Sequence, residues 1–256
     1  MTLAITHQCL IVIIGLSFGS FFTVIIHRIP KVTLGNIPLC NALFKPSHCT
    51  ACNHRLKARH LIPIISFIAQ KGRCVFCKQS IGYEYPLIEL TTTCLLSFIL
   101  DHLGLSFFSL MQCVFQSGLM ILCIIDYRHY LLPNLITIPL IVCGLFQTSV
   151  LEPEKFTASI VGCLIGYFMC WIIRHSYYWI KRQHGLGMGD AKLCAMIGAW
   201  LGAESLCSVL LDASLLACFT VMILVIIKRH YYHKPFAFGP FLVFSASLHA
   251  WHSYLL

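Results

Sequence analysis

Two carboxylates and four thiols carry most of the chemistry this sequence can offer. Asp and Glu number only nine in 256 residues, so each acid can be weighed singly. Asp126 and Asp190 each stand where an apolar stretch meets a basic one, and ionisable groups at such depth are costly and usually functional. Carboxylates held close cannot both ionise cheaply, so such a pair shares a proton. One member can then take a proton from water while the other donates to a carbonyl oxygen, which is the requirement for hydrolysing a peptide. The pair titrates as a unit, and neither aspartate has a fixed role. Asp101, Glu152, Glu154 and Glu204 fall at span ends or outer loops and read as hydrated surface. A polar contact between helices is the reading open to Asp212.

Asp190 lies in Gly185-Leu-Gly187-Met-Gly189-Asp190-Ala-Lys192. Three glycines at alternate positions make a poor helix and an open backbone, along which an extended substrate could approach the carboxylate. The plainer reading is a glycine-rich loop with Asp190 as the N-cap of the following helix.

The thiols form Cys49-Thr-Ala-Cys52 and Cys74-Val-Phe-Cys77, separated by 21 residues. Each pair brings two sulfurs onto one turn, and two pairs complete a tetrahedral four-cysteine zinc site. Arg55, Lys57, Arg59, Arg73 and Lys78 favour thiolate over thiol. A polar segment this short builds little core, so a structural metal would hold it together. With four protein ligands no position stays open for catalysis. A redox dithiol, or cysteines with no joint role, are the alternatives. The other eleven cysteines lie in or near apolar segments, where a free thiol behaves as a small hydrophobe.

The elements that position these groups are membrane helices. The chain is 58% hydrophobic and 11% charged, with a mean hydropathy of +0.82. In lipid every backbone polar group must be satisfied internally, which makes spanning helices the default. Eight spans are predicted, at 9–26, 86–103, 107–125, 135–151, 157–175, 191–203, 206–227 and 236–255. With the N-terminus outside, the inner loops and their flanks hold 17 of the 18 Lys and Arg residues. That is the positive-inside pattern, and it accounts for the net charge of +9 without nucleic acid. Met1 to Gln8 has no Lys or Arg, so the first apolar run reads as a retained span rather than a signal peptide. The expected protein is all-α and polytopic: a first span at 1–26, a small cytoplasmic four-cysteine zinc-binding domain at 27–85, and a membrane domain at 86–256 that carries both aspartates. Both termini are expected outside.

Several segments together resemble one family. Gly185 to Leu193 is similar to the GxGD signature of intramembrane aspartyl proteases. Ile197-Gly-Ala-Trp-Leu-Gly202 follows as it does in type IV prepilin peptidases. Ile125-Asp126-Tyr-Arg-His-Tyr-Leu-Leu-Pro133-Asn134 resembles the segment of that family's first aspartate. Gly19-Ser-Phe, His27-Arg-Ile-Pro30, Tyr85-Pro-Leu-Ile-Glu-Leu90 and Phe238-Gly-Pro-Phe241 match in order along nearly the whole chain. The chain departs at Thr23, where the family commonly has Asn, and at Asn134, where Asp is frequent. The resemblance implies a bacterial inner-membrane enzyme with a periplasmic N- and C-terminus. It would cleave the basic leader of type IV prepilins or type II secretion pseudopilins on the cytoplasmic side, through Asp126 and Asp190. It also implies N-methylation of the new N-terminus from S-adenosylmethionine, in the cysteine-bearing loop. Glu84 and Glu89 are the acids nearest that loop and are named as candidates for the methyl-donor site, which is otherwise unassigned. Membrane lipid is the expected surrounding partner.

Other classes make different demands. An archaeal preflagellin peptidase resembles the chain around both aspartates but lacks the cysteine module. A transporter with a zinc-binding regulatory loop would place its carboxylates near the bilayer midplane. A redox membrane protein would need thiols that cycle with oxidant.

Overall fold

The computed structural model describes residues 2–182, 187–227 and 236–255. Gly185 and the basic loop at 228–235 therefore lie outside the described residues. Within them the regular secondary structure is helical, and residues 45–83 are largely turns and irregular segments with two isolated bridges. The helices are α1 (Thr2–Thr33), α2 (Leu39–Phe44), α3 (Ile65–Ala69), α4 (Glu84–Leu103), α5 (Phe107–His129), α6 (Asn134–Leu151), α7 (Phe156–Lys181), α8 (Met188–Ile227) and α9 (Gly239–Leu255). Among the described residues six helical segments are long and apolar enough to cross a membrane.

Each of the eight predicted segments is helical, but the sixth and seventh are one element, α8. Forty residues of straight helix would run about 60 Å, twice the thickness of hydrocarbon. Gly202 breaks it with φ 79° and ψ 173°, a conformation open to glycine alone. The two arms are the predicted spans, and the boundary falls at Gly202 rather than at 204–205. The last segment, α9, has 17 residues and is shorter than the spans around it.

The chain forms two compact units, Met1–Cys113 and Val114–Leu256. In the first, α1 packs on α4 through Gly15 and Gly19, one turn apart. A Cβ on Gly15 would lie 2.9 Å from Thr93 Cα, and one on Gly19 would lie 2.6 Å from Glu89 Cα. Lipid gives helices no hydrophobic reason to associate, so close backbone approach through small residues takes its place. Arg28 extends beyond this seam and donates to the Ala42 and Lys45 carbonyls at 3.0 and 2.7 Å, groups that the short helix α2 leaves unpaired.

The second unit repeats the device. Gly162 and Gly166 on α7 face Gly198 and Cys194 on the first arm of α8. A Cβ on Gly166 would come within 2.6 Å of the Cys194 carbonyl, and one on Gly198 would strike the Gly162 carbonyl. Trp200 fixes α6 to the same arm. Its Nε1–H donates to the Leu140 carbonyl at 2.7 Å, its ring stacks on Phe115 at 4.6 Å, and Gly144 provides the notch it fills. On the second arm Asp212 meets His249 of α9 at 2.8 Å, the interhelical polar contact expected of it. Ser245 of α9 adds a hydrogen bond to the Val209 carbonyl at 3.0 Å.

Candidate active site and metal centre

Asp126 occupies the last turn of α5 and Asp190 the first turn of α8. Both belong to the second unit, and both are buried, with 6% and 9% of their surface exposed. The α5 turn places Asp126 on an inward face, because Leu122 and Ile125 beside it are completely buried. Asp190 has the same setting, with Ala191, Leu193 and Cys194 packed around its turn.

The glycines of this segment act differently from the sequence expectation. Asp190 is not the N-cap. The helix starts at Met188, which puts Asp190 at the third helical position, and its Oδ2 accepts a hydrogen bond from the Gly187 N–H at 3.2 Å. This is half of a capping box, the side chain reaching back to the start of its own helix. Gly189 is inside the helix, so its place is not explained by an open backbone. It lets α8 close against Leu132, whose Cβ would be 2.8 Å from any Cβ at position 189. Asp190 is thus fixed by its own cap and by a tight contact in front of it. Lys192 donates to Asn134 Oδ1 at 2.6 Å, joining the starts of α8 and α6.

Asp126 is held from the other side by the start of α9. The Phe238 carbonyl accepts from the Phe241 and Leu242 N–H groups, so α9 opens at Gly239 with Pro240 in its first turn, where a missing N–H is harmless. The Gly239 peptide faces the Asp126 carboxylate, and a Cβ on Gly239 would lie 3.0 Å from Asp126 Cγ and nearer still to Oδ2. Asp126 Oδ2 is buried and without a hydrogen-bond partner among the described residues. Phe238-Gly-Pro-Phe241 was read in the sequence as part of a last span. Its contact with Asp126 could not be found by periodicity, although a glycine before a proline marks a helix start.

The four thiols also come together. Cys49, Cys52, Cys74 and Cys77 offer sulfurs that all lie within 4.8 Å of one another. The two halves are built alike. The Cys49 N–H donates to the His54 carbonyl and the Cys74 N–H to the Gln79 carbonyl, at 3.0 and 2.8 Å. Asn53 and Lys78, each directly after the second cysteine of its pair, turn the chain back with φ of 54° and 60°. Cys49 Sγ is 3.7 Å from Cys77 Sγ. A tetrahedral ion with sulfur ligands at ~2.3 Å requires about 3.8 Å between them, so the set fits zinc. Charge is shared unevenly. The Cys52 and Ala51 N–H groups lower the Cys49 thiol to about 6. The Gln79 N–H pulls Cys77 down, but desolvation and the neighbouring thiols together raise it to about 11. Four sulfurs this close cannot all be thiolates without a cation among them.

The two acids named for a methyl donor are in the first unit and are engaged with protein. Glu84 lies 3.4 Å from His27 Nε2, whose ring stacks on Tyr85 at 5.1 Å. Glu89 is buried in α4 and accepts the Ile64 N–H at 2.8 Å.

The chain is similar to known proteins along most of its length. A model described as the bacterial peptidase A24 N-terminal domain matches residues 13–103, and one described as the type IV leader peptidase family matches residues 113–226. The chain is 30% identical over 247 residues to a prepilin leader peptidase/N-methyltransferase of Pseudomonas aeruginosa, covering 90% of this chain and 85% of that protein. It is 31% identical over 250 residues to the protein of that name from Aeromonas hydrophila, with 91% and 86% covered. To that of Burkholderia pseudomallei it is 32% identical over 249 residues, with 90% and 81% covered. No solved structure matches it. With buried carboxylates on α5 and α8, a four-cysteine cluster before them, and these relatives along almost its whole length, the chain belongs to the type IV leader peptidase family, the peptidase A24 group of multi-pass membrane proteins.

Proposed function

We propose that this protein is a membrane-embedded aspartic endopeptidase that removes the leader of type IV prepilins or related pseudopilins, with Asp126 and Asp190 as its catalytic pair. The observation that supports the reading is that two buried carboxylates stand at helix ends in one compact unit, Asp126 in the last turn of α5 and Asp190 in the first turn of α8. A prepilin brings a basic leader in water and an apolar helix in lipid, so its scissile bond lies where span ends lie. There one carboxylate accepts a proton from the attacking water and the other protonates the scissile carbonyl oxygen. The capped Asp190 is the more fixed of the two, and Asp126 keeps an unmatched oxygen for water or substrate.

The reading extends to the rest of the chain. Segment 27–85 is the zinc-binding domain, with Cys49, Cys52, Cys74 and Cys77 as structural ligands, and 86–256 is the peptidase domain. The charge pattern supports a cytoplasmic cysteine loop and periplasmic termini in a bacterial inner membrane. The relatives' shared name supports N-methylation from S-adenosylmethionine as a second activity, for which Glu84 and Glu89 are the candidate ligands nearest the cysteine loop.

Asp126→Asn and Asp190→Asn test the pair. Each should lower the cleavage of a purified prepilin by at least roughly 100-fold while the protein still inserts and keeps its melting temperature. Wild-type cleavage by either variant refutes the assignment. Mass spectrometry of the product scores leader loss and methyl gain separately.

A further inference from the structure

The segment between the two cysteine pairs exposes an unexpected amount of apolar surface. In Leu61-Ile-Pro-Ile-Ile-Ser-Phe-Ile-Ala69, Ile65 and Ile68 are 63% and 68% exposed, and Leu61 and Ile62 are exposed beside them. Phe67 of α3 is half-buried, edge-on to Tyr83 at 5.8 Å. For a loop in water this is a poor arrangement, since large contiguous apolar patches mark a docking surface.

The structure shows where this patch stands. Ile64, a β-branched residue held at φ 58°, donates its N–H to the Glu89 carboxylate at 2.8 Å. Glu89 is the sixth residue of α4, a helix apolar enough to span, and it is buried where α1 meets α4. Five residues of helix advance about 7.5 Å. The tether therefore draws residues 61–68 down beside the span, to the depth at which interfacial helices lie in the headgroup and upper acyl layer. The charges on either side agree. Lys57 and Arg59 precede the patch and Lys71 and Arg73 follow it, all four exposed. Residues 27–85 hold nine Lys and Arg against one acid, which suits an anionic lipid surface.

We propose that residues 61–68 insert into the lipid interface, with Ile65 and Ile68 among the acyl chains and Lys57, Arg59, Lys71 and Arg73 on anionic headgroups, so that the cysteine module rests on the membrane instead of hanging free from it. Glu89 is the positioning residue, buried against α1 and α4 and holding the Ile64 turn at that level.

The test is crosslinking in vesicles that contain phosphatidylglycerol. A benzophenone amino acid is placed at position 65, at position 68, and at position 78 as an exposed control near the metal ligands. Mass spectrometry then identifies the adducts. Lipid adducts at 65 and 68 should exceed those at 78 by about tenfold, the discrimination expected of a side chain 5–10 Å inside the interface. Equal yields at all three positions overturn the proposal. So do adducts from 65 and 68 that are mainly to a second copy of the chain or to added prepilin. If the bulky label unfolds the module, Ile68→Trp, checked by its melting temperature, gives a second measurement. Its added fluorescence should be quenched by brominated acyl chains and spared by aqueous iodide, and the reverse result overturns the proposal.

Discussion

Gly239→Ala is the substitution that most directly probes how Asp126 is held. The added methyl would start 3.0 Å from Asp126 Cγ and closer to Oδ2. Ordinary carbon contacts begin near 3.5 Å, so α9 or the carboxylate must yield by about 0.5 Å or more. The helix start cannot yield freely, because Phe238 already accepts two N–H groups and Ser245 fastens α9 to Val209. The displacement therefore falls largely on Asp126. A misplacement of about 1 Å at a reacting centre can cost 10²-fold, so a shift of this size should slow cleavage roughly 10- to 100-fold, or about 1.4–2.7 kcal/mol of barrier. Single-turnover cleavage of a purified prepilin measures the loss, and methylation of an already cleaved pilin is the internal control. The reasoning fails if G239A cleaves within twofold of the parent, or if both activities fall together with the melting temperature.

Gly198→Ala should act on stability, because its methyl meets the Gly162 peptide on α7 and neither backbone can swing aside. A loss of about 1–3 kcal/mol in reversible unfolding in mixed micelles is expected from overpacking, and an unchanged midpoint would contradict it. Cys52→Ser removes one of four sulfurs that fit a tetrahedral ion. Zinc measured by atomic absorption should fall below one per chain, while unaltered metal content would disprove the site. Trp200→Phe keeps the ring against Phe115 but leaves the Leu140 carbonyl without its donor. It should cost about 1–3 kcal/mol of stability, checked by the same unfolding measurement.

The sequence revealed what depends on composition and spacing. Apolar length announced the helices, charge asymmetry suggested their direction, and the paired C-x2-C turns announced the sulfur cluster that Cys49 and Cys77 now close at 3.7 Å. Asp126 and Asp190 were conspicuous because so few acids are present. What could not be read was anything set by close approach between helices distant in sequence. Gly189 looked like backbone freedom and is a contact with Leu132. Asp190 looked like a cap residue and lies three positions further on, reaching back to Gly187. The α8 break fell at Gly202 because hydropathy runs continuously through it and only a positive φ marks the turn. Glu89 stood out in the sequence as an acid beside the loop, and only the fold shows that its Oε2 accepts the Ile64 N–H.

The glycine seam between α7 and α8 explains why the pair of carboxylates can hold its depth. Contacts step regularly along it: Ala158 lies under Gly202, Gly162 meets Gly198, and Gly166 meets Cys194. Cys170 then closes on Cys194 with its sulfur 3.4 Å away. A further turn brings the seam to Asp190, so backbone packing sets the height of this residue along α8, while its hydrogen bond to the Gly187 N–H sets the orientation of the carboxylate. Sliding α8 by one residue, about 1.5 Å, would set a peptide of α7 against a side chain where a glycine is now needed. In lipid no compensating hydrophobic gain opposes that clash, so the register is specified sterically. This predicts that substitutions along the seam reduce cleavage more the nearer they lie to Asp190. Gly166→Ala, whose methyl meets Cys194 one turn from the carboxylate, should depress the rate more per unit of lost stability than Gly162→Ala, which acts two turns away. Equal rate loss at equal destabilisation would mean that packing holds the fold without aligning the site.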